Sequence, residues 1–82
     1  MRLRVLYFAA VRDLVANDEE VVDAPAAVCT VRDFTAWIAS HHPALLGRMG
    51  SVRIARNEMF ARDEEALCEG DVLALIPPVA GG

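Results

Sequence analysis

The chain has 82 residues, of which 12 are acidic and eight are basic, so its formal net charge is −4 at neutral pH. That length fits one small domain with a single core. The basic residues are all arginines and form no cluster, whereas nucleic-acid binding needs a basic surface. We therefore expect no nucleic-acid partner. Without lysine, the chain cannot be a Schiff-base enzyme or carry a phosphate-binding P-loop.

Membrane and metal sites are also not expected. The longest apolar runs are too short to cross a bilayer, and the first residues lack the pattern of a signal peptide. We expect a soluble cytoplasmic protein with no membrane partner. Cys29 and Cys68 stand far apart, and no histidines have the spacing of zinc ligands. The two cysteines are predicted to be buried free thiols, and no metal site is predicted.

The chain opens with alternating residues at positions 2–8. The side chains that share one face are Leu3, Val5 and Tyr7. Alternation with a period of two predicts a β-strand, whose second face becomes apolar at Leu6 and Phe8. Residues 9–15 are expected to form a short helix or turn, and residues 19–24 a second strand. The opening is thus a predicted β-hairpin with an enlarged connection.

The clearest helix is predicted to begin at Thr30. Asp33 follows Thr30 by three residues in the pattern of a capping box. Apolar side chains then recur at helical spacing at Val31, Phe34, Trp37, Ile38 and Leu45. Pro43 ends the helix after His41 and His42, because proline disfavours helical geometry in the residue before it. Neighbouring residues on a helix do not share a face, so the two histidines are expected to favour the helix dipole rather than bind a metal together.

Two further strands are predicted in the second half. Residues 52–56 form the first of them, and a turn at Asn57 and Glu58 follows. Residues 72–76 form the last strand, which is apolar on both sides, as expected for a central strand with two covered faces. The strand at residues 2–8 is its only comparably apolar partner. The acidic runs at residues 18–20 and 63–65 lack the convergent geometry of acid–base catalysis, so we expect the domain not to be an enzyme alone.

The order strand, strand, helix, strand, strand predicts an α+β fold of the β-grasp type. In this fold a mixed sheet wraps around one main helix, and the first and last strands lie side by side and parallel. A ferredoxin-like fold would need a second full helix, and residues 59–68 are too few and too charged to supply it. We assign residues 1–76 to the β-grasp domain and residues 77–82 to an extended C-terminal tail.

The tail is the most informative segment of the chain. Proline fixes φ and lacks an N–H donor, so Pro77 and Pro78 should end the last strand and direct the chain into extended geometry. Gly81 and Gly82 have no Cβ and can pass through a channel too narrow for other residues. Six extended residues reach roughly 20 Å. The tail is therefore long enough to carry the carboxylate of Gly82 into a pocket on another protein.

Three stretches resemble the ubiquitin-like sulfur carriers, and among them the family of molybdopterin synthase small subunits. They are residues 5–12 (VLYFAAVR), 55–58 (ARNE) and 69–82 (EGDVLALIPPVAGG), of which the last is the most specific. The resemblance implies the same β-grasp fold. It also implies that the carboxylate of Gly82 is the catalytic group. By the same resemblance, a partner that uses ATP would adenylate it, sulfur would convert it to a thiocarboxylate, and that sulfur would be donated to build the dithiolene of the molybdenum cofactor.

Two partners follow from this resemblance. One is the large catalytic subunit of molybdopterin synthase, into which Pro77, Pro78, Val79, Ala80 and Gly81 would insert. The other is an adenylyltransferase similar to ubiquitin-activating enzymes. The chain itself is expected to bind no cofactor.

An apolar docking patch beside the root of the tail is also predicted. Its members are Phe8, Phe60 and Ile76, because large apolar side chains dominate the energetics of partner interfaces. The alternative is that Phe8 and Ile76 are ordinary core residues. Arg12 matches an early arginine of the family and is expected to pair with acidic groups of a partner.

Other functions remain open on the sequence alone. A sulfur carrier for thiazole synthesis, cysteine synthesis or tRNA thiolation would carry the same tail, as would a ubiquitin-like protein modifier that forms an amide with a target lysine. A structural interaction domain with an idle tail is a third alternative. The chain departs from the usual family pattern at Asn17 and Asp18, where a glycine is common, and at Arg56, where an aliphatic residue is expected.

Overall fold

The computed structural model describes residues 1–78. Within them, five strands form one mixed sheet. In chain order the elements are β1 (Arg2–Tyr7), α1 (Ala9–Val15), β2 (Glu19–Asp23), α2 (Val31–His41), two short 3₁₀ turns (Pro43–Leu45 and Met49–Ser51), β3 (Arg53–Arg56), β4 (Met59–Phe60) and β5 (Val72–Ile76).

The sheet has the order β2-β1-β5-β3-β4. The central pair, β1 and β5, is parallel, with Val5 opposite Leu73 and Tyr7 opposite Leu75. The other neighbours are antiparallel. This arrangement confirms the predicted β-grasp fold, with the first and last strands adjacent and parallel.

The core lies on one face of the central pair. Alternation along each strand sends every second side chain to this face, where the sheet meets α2. The fully buried residues include Leu3, Val5, Phe34, Ile38, Leu45, Leu73 and Leu75. Burying a side chain of this size stabilises the fold by about 2 kcal/mol relative to leaving it exposed. The free energy of folding therefore strongly favours the register that turns these residues toward α2.

The start of α2 has the predicted capping box. The Thr30 hydroxyl accepts a hydrogen bond from the Asp33 N–H at 3.2 Å, and the Asp33 carboxylate accepts from the Thr30 N–H at 3.1 Å. The Cys29 N–H also donates to this carboxylate. These backbone donors, first Cys29 and then Thr30, hold the pKa of Asp33 below its ordinary value. The helix thus begins where the sequence pattern places it.

The structure corrects two details of the sequence analysis. The third strand begins at Arg53 rather than at Val52, because the chain first makes a 3₁₀ turn over Met49–Ser51. Cys29 and Cys68 are free thiols, as predicted, but both are exposed rather than buried. None of the helices in the described residues is long and apolar enough to cross a membrane.

A buried carboxylate ties the β3–β4 turn to the start of β5. Asp71 is 6% exposed and accepts hydrogen bonds from Arg56 at 2.7 Å and from the Asn57 side chain at 3.0 Å. The Cys68 N–H donates to it as well, at 2.8 Å. Burial raises the pKa of Asp71, but the hydrogen bonds from Arg56 and Asn57 outweigh burial, so the pKa lies below its ordinary value. Arg56 is thus the charge partner of a buried acid.

Replacing this carboxylate with an amide tests the contribution of the network. We expect Asp71→Asn to lower the free energy of unfolding by about 2 kcal/mol at pH 7, because charge-assisted hydrogen bonds are lost. The native pKa is depressed, so the stabilisation is complete above the unfolded-state pKa of about 3.9 and is lost as pH falls through the native value. Urea unfolding at pH 7 and at lower pH measures both effects.

The matched control for this experiment is Asp63→Asn. Asp63 is exposed and lies 3.6 Å from Arg32 in a surface ion pair, so its change is expected to cost less than about 0.5 kcal/mol. Equal stability of the Asp71→Asn variant and the wild type at pH 7 would contradict the assignment.

Candidate functional site

The face of the sheet opposite α2 carries an open apolar concavity of about 430 Å³. Residues of β1, β3, β4 and β5, the residue after β1, and Asn57 and Glu58 of the β3–β4 turn line it. The apolar lining residues are Leu6, Phe8, Ala55, Phe60, Val72, Ala74 and Ile76. We call this surface the outer face.

The alternation that builds the core also builds the outer face. Leu73 and Leu75 of β5 are buried in the core, so Val72, Ala74 and Ile76 point the opposite way. The apolar pattern of this strand predicted that both of its faces are covered. That expectation is wrong for the outer face, because no element of residues 1–78 packs over it. Contiguous exposed apolar surface of this kind marks interaction sites.

Three of the four predicted contact residues lie together on the outer face. Phe8 and Phe60 are 45% and 56% exposed, and Ile76 is half-buried. Neither Phe8 nor Ile76 belongs to the hydrophobic core, so the structure does not support the alternative that they are ordinary core residues. Their contact with a partner stays a prediction.

Arg12 lies apart from these three residues. It is on α1 and does not line the concavity. Its Nε atom is 3.8 Å from a carboxylate oxygen of Asp18, and both side chains are largely exposed. Such a pair is weak in water, so the guanidinium can exchange Asp18 for another acidic group.

Arg53 borders the same surface and was not among the predicted contact residues. Arg53 is opposite Ile76 in the β3–β5 register, and its guanidinium carbon lies 3.7 Å from the centre of the Phe60 ring. No carboxylate of residues 1–78 is within ion-pair distance of Arg53. Arg53 precedes Ala55 by two residues, so alternation along the strand places both on the same face. This spacing could have identified Arg53 from the sequence. The outer face therefore combines an apolar floor with a cation stacked on one of its aromatic rings.

The root of the tail lies at the edge of the outer face. The last strand ends at Ile76, and the half-buried Pro77 and exposed Pro78 follow in no regular secondary structure. Because Ile76 lines the concavity, the chain leaves the sheet directly beside it. The predictions for Val79, Ala80, Gly81 and Gly82 fall outside the described residues.

A second cluster joins β2 to the end of α2. His42 Nε2 lies 2.5 Å and His41 Nε2 3.7 Å from the same oxygen of Glu20, and the Tyr7 hydroxyl donates to that oxygen at 2.7 Å. Burial raises the pKa of Glu20, but the hydrogen bonds from His42 and Tyr7 outweigh it and bring the pKa below its ordinary value. The argument that adjacent histidines cannot converge is therefore wrong here. His42 is already outside the helix, with φ −122° and ψ 90°.

Comparison with known proteins agrees with the fold. The ThiS family matches residues 5–82. The molybdopterin synthase sulfur carrier subunit of Chlamydomonas reinhardtii is 38% identical over 84 residues, and the match covers both chains completely.

Solved structures with the same fold include relatives of the same kind. SAMP1 of Haloferax volcanii, a small archaeal modifier protein, has a TM-score of 0.86 at 30% identity, with both chains fully covered. In the complex of subunits 1 and 2 of the molybdopterin-converting factor from Helicobacter pylori, the matching chain has a TM-score of 0.70 at 25% identity, again with both chains fully covered. The chain therefore belongs to the ThiS family.

Proposed function

We propose that this chain is the sulfur carrier subunit of a molybdopterin synthase. The observation that carries the proposal is the position of the outer face, an uncovered apolar surface that adjoins the root of a tail ending in diglycine. A partner that covers this surface receives the tail at the same time. The full-length similarity to the Chlamydomonas reinhardtii subunit supports the choice of sulfur chemistry.

The chemistry proposed for the tail takes place at the carboxylate of Gly82. A free carboxylate is a poor electrophile, so the adenylyltransferase partner first joins it to the AMP part of ATP and releases pyrophosphate. The terminal sulfur of a persulfide donor then attacks the acyl carbon and displaces AMP. A second thiol cleaves the resulting acyl disulfide, which releases the thiocarboxylate and leaves the donor's own sulfur in a disulfide with that thiol. Within the large subunit, the thiocarboxylate sulfur attacks a carbon of a cyclic pyranopterin phosphate and forms a thioester between Gly82 and the pterin. Water then cleaves this thioester, which leaves the sulfur on the pterin and restores the carboxylate of Gly82. Two such transfers supply the two sulfurs of the dithiolene, so the chain acts as a cosubstrate and binds no cofactor of its own.

Docking is proposed to use Phe8, Phe60 and Ile76 together. Burying an exposed aromatic side chain contributes about 1.5–3 kcal/mol, and a few such residues carry most of the energy of an interface. A complex of subunits 1 and 2 in the Helicobacter pylori relative supports a large-subunit partner. Since the chain has only one tail, the large subunit and the adenylyltransferase must bind it in turn.

A second candidate function is that of a protein modifier. The similarity to Haloferax volcanii SAMP1 favours it, because that structure matches with a TM-score of 0.86 at 30% identity and both chains are fully covered. In that case the activated carboxylate of Gly82 would form an amide with a lysine of a target protein instead of accepting sulfur. The two functions share the adenylation step and differ in the nucleophile that follows.

The first test concerns Gly82. We expect intact-mass spectrometry of protein purified from its native cells to show one terminal oxygen replaced by sulfur. Deleting Gly82 should abolish synthesis of the molybdenum cofactor in those cells without changing the circular dichroism spectrum of the domain. The control Glu64→Gln, an exposed side chain of the loop after β4, should retain synthesis. Conjugates to other proteins with no sulfur-bearing form would favour the modifier, and unimpaired synthesis without Gly82 would overturn the proposal.

The second test uses two adjacent exposed residues of β4 that differ in the face they occupy. Phe60 lines the outer face, whereas Met59 is 75% exposed and does not. We expect Phe60→Ala to weaken binding to the large subunit by about 30-fold or more, because a residue of this kind contributes about 2 kcal/mol. Met59→Ala should change the affinity by less than about threefold. Isothermal titration calorimetry measures both, and equal affinities for the two variants would remove Phe60 from the interface.

A further inference from the structure

The cluster of Glu20, His41 and His42 lies away from the outer face. Glu20 is on β2, the edge strand at one side of the sheet, whereas β4 is the edge strand at the other side. The histidines are the last residue of α2 and the residue that caps it. The concavity of the outer face is not lined by these side chains. Their function therefore needs a separate explanation.

The three side chains present their ligand atoms to one point. One imidazole nitrogen from each histidine and one oxygen of Glu20 all lie within 4.8 Å of one another. The three groups are 21–42% exposed, so an ion from solvent can reach them. They are also partly shielded, which limits competition from water.

Neighbouring aromatic residues hold both imidazole rings in place. The ring of Trp37 stacks on His41, with centroids 4.9 Å apart and planes 19° from parallel. The edge-to-face contact of Tyr7 with His42 has a centroid distance of 5.5 Å. The buried Tyr7 hydroxyl also donates to Glu20. Supporting contacts of this kind orient the ligands in natural metal sites.

We propose that Glu20, His41 and His42 bind a divalent transition-metal ion, with zinc as the best match. Two imidazoles and one carboxylate are a ligand set of three-residue zinc sites, in which water occupies the fourth position. Calcium and magnesium are excluded as the preferred ions because they require a shell of oxygen ligands. The bound ion would fasten the end of α2 to the edge strand β2.

The two contacts of Glu20 with the histidines require only a small adjustment to hold zinc. Tetrahedral zinc with bonds of about 2.0 Å places its ligand atoms about 3.3 Å apart. The separation of 3.7 Å between His41 and Glu20 is close to that value. His42 and Glu20 are now hydrogen-bonded at 2.5 Å, so they must move apart by less than about 1 Å. The ion then takes the place of the proton between them.

Zinc titration of the full chain tests the proposal. The protein should carry no affinity tag and should have both exposed cysteines replaced by serine, because free thiols bind zinc themselves. Calorimetry with zinc chloride at pH 7.5 should show saturable binding of one ion per chain. Glu20→Gln and His41→Gln should each weaken the affinity by at least tenfold. The matched control is Glu19→Gln, the neighbouring carboxylate of the same strand, which pairs with Arg4 and should leave the affinity unchanged.

A spectroscopic measurement separates ligation from a general effect on the fold. In nuclear magnetic resonance spectra, zinc should shift the ring nitrogen signals of both histidines. In the His41→Gln variant, whose replaced side chain is the most exposed of the three, the shift at His42 should be reduced while the remaining spectrum is preserved. Absence of saturable binding to the cysteine-free chain would overturn the proposal. A zinc affinity unchanged by both Glu20→Gln and His41→Gln would also overturn it. Either result would mean that the cluster only joins α2 to β2 by hydrogen bonds, without a metal ion.

Discussion

The parallel pairing of β1 with β5 is the interaction on which the rest of the structure depends. In its register, Val5 lies opposite Leu73 and Leu6 opposite Ala74. The first of these pairs is part of the core and the second is part of the outer face. A slip of one residue would exchange the two faces, exposing leucines and burying the side chains of the outer face. The register of this one strand pair therefore determines both which side chains form the core and which form the outer face.

An uncovered face follows from the size of the domain. A sheet has two faces, and its apolar face must be buried against another layer. Here the single long helix, α2, covers one face, and no described segment is left to cover the other. The outer face is apolar at its centre, and it adjoins the strand end from which the tail leaves. Because β5 is held on both sides by neighbouring strands, the proposed reactive end is attached to a strand at the centre of the sheet.

Local patterns predicted the elements well and predicted contacts across elements poorly. The capping box of Thr30 and Asp33 and the alternation of β1 depend on residues close in sequence, and both are present. The uncovered face of β5 was missed because an apolar strand has the same composition whether a helix or a partner covers it. The meeting of Glu20 with His42 was missed because it joins residues 22 positions apart. Helical spacing gives the direction of His41 but not that of His42, which has left the helix.

The two proposed sites meet at one strand without sharing a surface. Tyr7 is the last residue of β1, and its hydroxyl lies at the histidine cluster. Its neighbours Leu6 and Phe8 line the outer face, because successive residues of an extended chain point in opposite directions. An ion at Glu20 would thus join β2 to the end of α2 on the core side of the sheet and leave the docking surface open. The four residues from Val5 to Phe8 accordingly serve the core, the cluster and the interface through alternation alone.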